Sequence, residues 1–282
     1  QPQANFPQSF IADPNFVRKI AASVPQNEED PTGKRVLELG CGTGALTKRL
    51  KPRFPEMFGI ELDKRAMEVL QHNVPGTTVI RSDVLMVNYT KVAEIRGGPL
   101  TVVANLPFHV ATQALFTLAD HASAIDTAYF VMPKPLARRI CAKRGTKEYG
   151  IPSVAFQLYA NPRILFDVPA TAYLPRPNVE TCLLKVDFEA AREQRLGLGV
   201  NPRDLRNVTT TAFRQRTKYL RNSLAKLLEC HTSKIGALPM EYEAIKGSWL
   251  EPWEFVHLTQ MIFGKKEFPK HLYRAWRGEF GR

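Results

Sequence analysis

The sequence of 282 residues has little cysteine, and its cysteines are far apart. No C-x-x-C pair is present, so the sequence contains neither the usual ligand spacing of a zinc site nor a disulfide framework. Widely spaced thiols favour a reducing compartment. We predict no bound metal. The four cysteines are Cys41, Cys141, Cys182 and Cys230.

The sequence also lacks long apolar runs, internal repeats and low-complexity segments. No stretch approaches the roughly 20 apolar residues that a membrane helix needs, so no contact with a membrane is expected. An apolar content of 44% is sufficient for one large core and a second, smaller domain. The chain begins with Gln1, and we expect a processed or truncated N-terminus from which any targeting peptide has been removed.

Acidic residues are scarce relative to basic ones, 27 against 39, which gives a net charge of +12. The excess is uneven, because residues 201–282 contain 15 basic and 8 acidic residues and residues 133–150 contain six and one. A well-hydrated surface explains such an excess, and so does contact with a polyanion such as RNA or DNA. Charge alone leaves both interpretations open.

Strands alternate with helices along the first part of the chain, which predicts an α/β fold with a parallel, doubly wound, Rossmann-like sheet. The predicted strands are 34–40, 58–63, 77–83, 100–106 and 126–132, and the predicted helices begin at 45 and 64. Residues 163–168 and 180–188 are predicted to pair in antiparallel orientation at the sheet edge.

The composition changes near residue 197, where LGLGVNP (196–202) is typical of a linker. We therefore predict a first domain over 1–196 and a small C-terminal helical domain over 197–282. A helix is predicted over 207–229, with an apolar face and a basic face. The apolar face contains Phe213, Leu220, Leu224 and Leu227, and the basic face contains Arg214, Lys218 and Arg221.

Gly40, Gly42 and Gly44 lie between the first of these strands and its helix. Glycine is expected where a Cβ atom would obstruct a tight turn or the approach of a ligand to the backbone. The G-x-G-x-G spacing differs from the G-x-G-x-x-G of dinucleotide sites and is typical of S-adenosylmethionine (SAM) sites. A tight turn without a ligand is the alternative interpretation.

Two carboxylates support a SAM site. Glu61 closes the second strand, where it can accept hydrogen bonds from both ribose hydroxyls, and Asp83 closes the third, where it can accept one from the adenine amino group. Ligands of such sheets bind at the carboxyl ends of the strands. Two solvated acids are the alternative.

Asn105, Leu106, Pro107 and Phe108 follow the fourth strand. The Asn105 side-chain oxygen and the Leu106 backbone carbonyl can each accept one N–H of an exocyclic amine, which would orient its lone pair for attack on a methyl group. Pro107 stiffens the turn, and Phe108 offers a ring on which a flipped base can stack. A turn that ends a strand and buries a phenylalanine is the alternative.

The motif ELGCGTG, the two carboxylates and NLPF, in this order, resemble the ribosomal RNA adenine N6-dimethyltransferase family, which comprises the KsgA type and its mitochondrial transcription factor B relatives. Four further segments are similar to segments of that family: 8–20, 147–159, 168–186 and 212–224. The resemblance implies SAM as cofactor, small-subunit ribosomal RNA and its precursor particle as partners, and a monomer outside the particle.

The resemblance also implies roles for individual residues. Ser9 and Ile11 belong to a segment that closes over SAM, Asn105 also borders the cofactor, and Tyr173 lies over the target base. The basic residues of the 207–229 helix would hold RNA phosphates. Three departures from the family pattern bear on turnover: Ser9 in place of Asn, the segment 109–112, and prolines on both sides of Lys134.

NLPF rather than NLPY, together with the tail 257–280, resembles the mitochondrial members, which predicts the mitochondrial matrix, with the cytoplasm as the alternative. The predicted reaction is dimethylation of adenine N6 in small-subunit ribosomal RNA. A ribosome assembly factor or mitochondrial transcription factor with weak or lost methylation is the alternative. The basic C-terminal domain disfavours a small-molecule methyltransferase.

Overall fold

The computed structural model of the protein describes residues 10–188, 199–230 and 238–264. Its main sheet is formed by β2 (Val36–Leu39), β3 (Phe58–Glu61), β4 (Thr78–Arg81), β5 (Leu100–Ala104), β6 (Ile125–Pro133), β7 (Asn161–Val168) and β9 (Thr181–Asp187). Their spatial order is β4-β3-β2-β5-β6-β9-β7. The strands from β4 to β6 pair in parallel, and β9 pairs with β6 in antiparallel orientation. This confirms the predicted Rossmann-like sheet, with 163–168 and 180–188 as neighbours at one edge.

A second, two-stranded sheet pairs β1 (Phe10–Ile11) with β8 (Tyr173–Leu174). The helices of the first part of the chain are α1 (Pro14–Ala22), α2 (Thr47–Leu50), α3 (Lys64–Asn73), α4 (Tyr89–Arg96) and α5 (Phe108–Asp120). Three of them begin directly after a side chain that accepts a hydrogen bond from a free backbone N–H of the first turn, as N-caps do. These caps are Asp13, Asp63 and Asn88.

The register of the central strands determines which chain segments meet at their carboxyl ends. Leu39 of β2 pairs with Ala104 of β5 on one side and with Ile60 of β3 on the other. Both central strands are mostly apolar and almost fully buried, as parallel strands covered on two faces require, and Glu38 of β2 is buried with its neighbours. The residues that follow Leu39, Ile60 and Ala104 therefore lie together at the carboxyl ends of these strands.

The described residues form two compact units. The first contains residues 10–137 and 163–188, and the second contains 138–162, 199–230 and 238–264. This corrects the predicted boundary at 196/197, because 138–162 belongs with the C-terminal residues. The physical reason is long-range contact: the Tyr149 hydroxyl donates to the Leu250 carbonyl at 2.7 Å, and the Phe213 ring packs against Tyr149 and Phe255.

The second unit is helical, as predicted. Its helices are α7 (Ile151–Gln157), α8 (Pro202–Arg214), α9 (Leu220–Ser223), α10 (Ala225–Glu229), α11 (Met240–Glu243) and α12 (Pro252–Phe263), and α6 (Lys134–Cys141) leads into it from β6. No helix in the described part of the chain is both long and apolar enough to cross a membrane.

The prediction of one continuous helix over 207–229 is wrong. Helix α8 ends at Arg214, and the chain leaves helical geometry at Gln215 (φ −120°, ψ 54°). Tyr219 then forms an antiparallel bridge with Lys246, and the Leu220 N–H donates to the Ile245 carbonyl at 2.8 Å. Backbone pairing with residues 245–246 thus replaces helical hydrogen bonds at this point. The apolar periodicity of residues 207–229 contains no information about this distant segment.

Candidate active site

The glycine segment after β2 has the backbone geometry that only glycine adopts readily. Gly40, Gly42 and Gly44 have φ values of +70°, +51° and +92°. A Cβ atom on Gly40 would lie 2.3 Å from Leu106 Cδ2, and one on Gly44 would lie 3.3 Å from Val74 Cγ2, whereas Gly42 has no atom within 4 Å of that position. The backbone at Gly42 therefore faces open space, whereas Gly40 and Gly44 allow close packing against Leu106 and Val74.

Glu61 is held firmly at the end of β3. Its Oε1 accepts hydrogen bonds from the backbone N–H groups of Leu62 (2.8 Å) and Asp63 (2.9 Å), and its Oε2 accepts one from Gly42 (2.8 Å). A carboxylate offers about four lone-pair sites, so Oε2 keeps an acceptor position. The carboxylate predicted to contact the cofactor is therefore joined directly to the glycine segment.

Asp83 lies two residues beyond β4, the neighbour of β3. It is half-buried, and its Oδ1 accepts a hydrogen bond from the Leu85 N–H at 2.9 Å. No described residue donates to its Oδ2, which leaves an acceptor at the edge of the sheet. Leu62, which follows Glu61 directly, is 59% exposed.

The tetrapeptide 105–108 lies beside the glycine segment. Asn105 is half-buried, and its side-chain amide has no hydrogen-bond partner among the described residues. The Leu106 side chain is buried against Gly40, and no described N–H group donates to the Leu106 carbonyl. Pro107 (φ −50°, ψ 139°) is the N-cap of α5, which begins with the half-buried Phe108. The two oxygens predicted to accept the target amine are thus free to do so.

Glu38 is a residue of this region that the sequence reasoning did not single out. It is 1% exposed in the middle of β2, and its Oε2 accepts a hydrogen bond from Thr47 Oγ1 at 2.7 Å. Burial, with a smaller contribution from the negative charge of Glu61, raises the pKa of Glu38 to about 8. The carboxyl is therefore largely protonated at neutral pH. An acid inside a buried strand was the signal for it.

Cys41, within the glycine segment, is buried as well. Its Sγ lies 2.1 Å from the position that a Cβ atom on Gly59 would occupy. Burial raises the pKa of its thiol well above the usual value, and Glu38 adds to the effect. A protonated, buried thiol is a poor nucleophile. No three or more potential metal-ligating side chains cluster in the described part of the chain.

The structure describes two of the three residues that were predicted to contact SAM from the N-terminal segment or to lie over the base, namely Ile11 and Tyr173. Ser9 lies outside the described residues. Ile11 pairs with Tyr173 between β1 and β8, and both side chains belong to one hydrophobic core cluster. Tyr173 is 4% exposed, and its hydroxyl is 2.7 Å from Thr181 Oγ1. The ring is packed in the core of this arrangement, and its place over the target base stays a prediction.

The predicted phosphate-binding residues Arg214, Lys218 and Arg221 lie in the second unit. All three are exposed, at the end of α8, in the following turn and in α9. They therefore do not form a stripe on one helix, although their charges remain available to a polyanion. The Arg221 guanidinium lies over the Tyr219 ring, 5.6 Å from its centroid.

Comparison with known proteins agrees with this geometry. The family model for ribosomal RNA adenine dimethylase matches residues 1–236. The ribosomal RNA small subunit methyltransferase A of Salinibacter ruber is 34% identical over 267 residues, covering 93% of this chain and 85% of the relative. The protein of the same name from Leptothrix cholodnii is 32% identical over 262 residues, covering 93% and 92%.

Two solved structures share the fold. A dimethyladenosine transferase from Plasmodium falciparum has a TM-score of 0.72 and 18% identity, covering 92% of this chain and 99% of its own. The 23S rRNA methyltransferase ErmE has a TM-score of 0.60 and 19% identity, covering 90% and 99%. With the extent of the family match, these observations show that the chain belongs to the ribosomal RNA adenine dimethylase family.

Proposed function

We propose that the protein transfers two methyl groups from SAM to the N6 atom of adenine in small-subunit ribosomal RNA. The observation that carries this proposal is the packing of Leu106 on Gly40, which joins the glycine segment to the tetrapeptide with the two free acceptors. The curated relatives are named as small-subunit methyltransferases. Their names support the small-subunit RNA as the substrate.

The residues at the carboxyl ends of β2 to β4 fit SAM. Gly42 leaves its backbone open, Glu61 keeps an acceptor on Oε2, and Asp83 keeps Oδ2. These groups would hold the amino acid portion, the ribose hydroxyls and the adenine amino group respectively. Bound SAM supplies an electrophilic methyl group on a sulfonium.

The chain itself orients the nucleophile. The lone pair of an adenine amine is delocalised into the ring, so the amine needs acceptors that direct its N–H groups. Asn105 Oδ1 and the Leu106 carbonyl are two such acceptors without a described partner. They also stabilise the positive charge that develops on nitrogen as it is methylated. After the first methylation the adenine amine has one N–H left, and either of these two oxygens can accept it. The amine can therefore be oriented for a second methyl transfer.

Phe108 is expected to stack on the base. It is half-buried at the start of α5, directly after the rigid turn at Pro107. Unpaired bases bound by proteins commonly stack on aromatic rings. Phe108 and Tyr173 are the two rings predicted to stack on the base, and Phe108 is the more exposed of the two.

Mass spectrometry of RNA nucleosides tests the proposal. Purified protein and SAM are incubated with the precursor small subunit, and large-subunit RNA serves as the matched control. We expect N6,N6-dimethyladenosine in the small-subunit RNA only. Methylation of large-subunit RNA instead would overturn the substrate assignment, and the absence of methyladenosine in both would overturn the reaction.

A location in the mitochondrial matrix stays a prediction. It is supported by Phe108 in the tetrapeptide and by the tail 257–280, and the relatives compared above include bacterial proteins. Fluorescence microscopy of the protein in its own cells, with a mitochondrial marker, tests it.

A further inference from the structure

The second unit contains an open pocket that the methyl-transfer site does not use. Its volume is about 400 Å³, within the range of roughly 300–1,000 Å³ that is common for sites of small organic ligands. We propose that this pocket binds an unpaired nucleobase of the RNA substrate, with adjacent phosphates on its cationic rim. This inference rests on the proposed function, which makes RNA the substrate. The pocket is lined by Arg144, Tyr219, Ala244, Ile245, Lys246 and Trp249.

Three chain segments build the pocket and hold one another in place. The Gly145 N–H donates to the Ser248 carbonyl at 2.7 Å, and Tyr219 forms its backbone bridge with Lys246. Arg216 Nη2 donates to the Thr146 carbonyl at 2.6 Å. The walls are therefore connected by backbone hydrogen bonds and by one side-chain hydrogen bond, which indicates a pocket formed before any ligand arrives.

Two aromatic side chains of the pocket are partly exposed. Tyr219 is 42% exposed and Trp249 is 54% exposed. Gly145 has a φ of +80°, and a Cβ atom there would lie 3.0 Å from the Trp249 ring, so glycine lets the backbone pass close to that ring. Exposed rings of this kind provide stacking surfaces for bases, whatever the base sequence.

The charge at the rim matches a nucleotide. Lys246 lines the pocket, and Arg221 lies over the Tyr219 ring. Arg144 is 49% exposed and is oriented by Glu251 at 2.9 Å and by Glu254 at 3.8 Å. These carboxylates balance part of the charge of Arg144, but a guanidinium has five N–H donors and keeps some for a phosphate. Aromatic rings beside cations are the usual composition of a site for single-stranded nucleic acid.

The test measures binding of a single-stranded oligouridylate decamer and of a fully paired RNA duplex to the full chain, without SAM. Trp249→Ala should weaken binding of the decamer by about fivefold or more, the loss expected for one stacked base. Trp249→Phe should restore most of it. The matched control is Trp253→Ala, because Trp253 is 61% exposed in the same unit but does not line the pocket. Its effect should stay below about twofold.

Two further measurements separate stacking from a general loss of structure. Trp249→Ala should leave the salt dependence of binding unchanged, whereas Lys246→Gln should lower the slope by about 0.7, the value for one phosphate contact with a single strand. Ultraviolet crosslinking of the wild-type protein to an iodouridine-substituted decamer should place the crosslink on Trp249 or Tyr219. Because the crosslinking uses the wild-type protein, its result does not depend on whether a variant folds.

Equal affinity of wild type and Trp249→Ala for the decamer, preference for the duplex, or crosslinks outside the pocket would each overturn the proposal. So would crosslinks from Trp249 to a ribosomal protein in the precursor particle, since the pocket would then hold a protein. Failure of the proposed function is a separate result. If the wild-type protein makes no dimethyladenosine, and Trp249→Ala still weakens binding of the decamer, the proposed reaction is wrong and the proposed base-binding pocket stands.

Discussion

The Leu106 side chain occupies the space that any side chain on Gly40 would need, with its Cδ2 at 2.3 Å from the position of a Cβ atom. The first residue of the glycine segment and the second residue of the tetrapeptide therefore pack as one unit. Because β2 and β5 are adjacent parallel strands, this contact sets the distance between the predicted cofactor segment and the predicted amine acceptors.

We predict that Gly40→Ala destabilises the protein more than Gly76→Ala does. Both glycines have positive φ, +70° and +74°, but a Cβ atom on Gly76 meets no atom within 4 Å. Gly76→Ala should cost about 1–2 kcal/mol for the backbone conformation alone. Gly40→Ala should add about 1–3 kcal/mol of overpacking against Leu106. Equal free energies in urea unfolding would contradict the contact.

Asn105→Ala should reduce methyl transfer by at least about 10²-fold, because one acceptor that orients the target amine is lost. The affinity for RNA should stay near wild type, because phosphate contacts supply most of it, and the fold should be intact, since the Asn105 side chain has no hydrogen-bond partner among the described residues. Single-turnover rates and calorimetry measure the two quantities. A normal rate with Asn105→Ala would remove the residue from the mechanism.

Asp83→Asn should weaken SAM binding by about 1.5–3 kcal/mol, as expected for a lost hydrogen bond to a charged group. The substitution keeps Oδ1 for the Leu85 N–H and replaces the free oxygen with a donor. The control is Asp63→Asn, because Asp63 caps α3 through the same kind of hydrogen bond to Arg65. Calorimetry should show unchanged affinity for the control. Unchanged affinity for Asp83→Asn as well would disprove the adenine contact.

Glu38 should make the stability depend on pH. Its folded-state pKa of about 8 exceeds the ordinary value of 4.5, so the native state binds more protons than the unfolded state between these values. Its contribution to the free energy of unfolding therefore falls by about a few kcal/mol as pH rises from about 4.5 to about 8. Above about pH 8 this contribution no longer changes.

Glu38→Gln should remove this dependence, because glutamine can accept from Thr47 without ionising. We expect the variant to match wild type near pH 5 and to exceed it in stability at pH 8.5. Urea unfolding at a series of pH values measures the difference. A difference that does not change with pH would contradict the raised pKa.

Reversal of Arg214, Lys218 and Arg221 to Glu should weaken RNA binding and flatten its salt dependence, because fewer counterions are released. All three are exposed, although they do not share a helix face. The control reverses three exposed basic residues of the first unit, Lys64, Arg65 and Lys91, with the same change of net charge. Equal effects of the two triple variants would indicate net charge rather than a local contact.

The sequence by itself determined the features that depend on short stretches of chain. Apolar runs separated by amphipathic segments predicted the parallel sheet, because strand burial and helix periodicity are local patterns. Gly40, Gly42 and Gly44 were predicted to form a tight turn after the first strand, which is also a local feature, and their positive φ angles agree with such a turn.

Only the tertiary structure decided the features that depend on distant partners. The segment between Arg214 and Leu220, which interrupts the predicted 207–229 helix, is followed by a backbone hydrogen bond from Leu220 to the distant Ile245. The Tyr173 ring belongs to a buried cluster with Ile11. Burial within the central strand β2 raises the pKa of Glu38 to about 8. In each case the free energy comes from contacts between segments far apart in sequence, which local propensity does not encode.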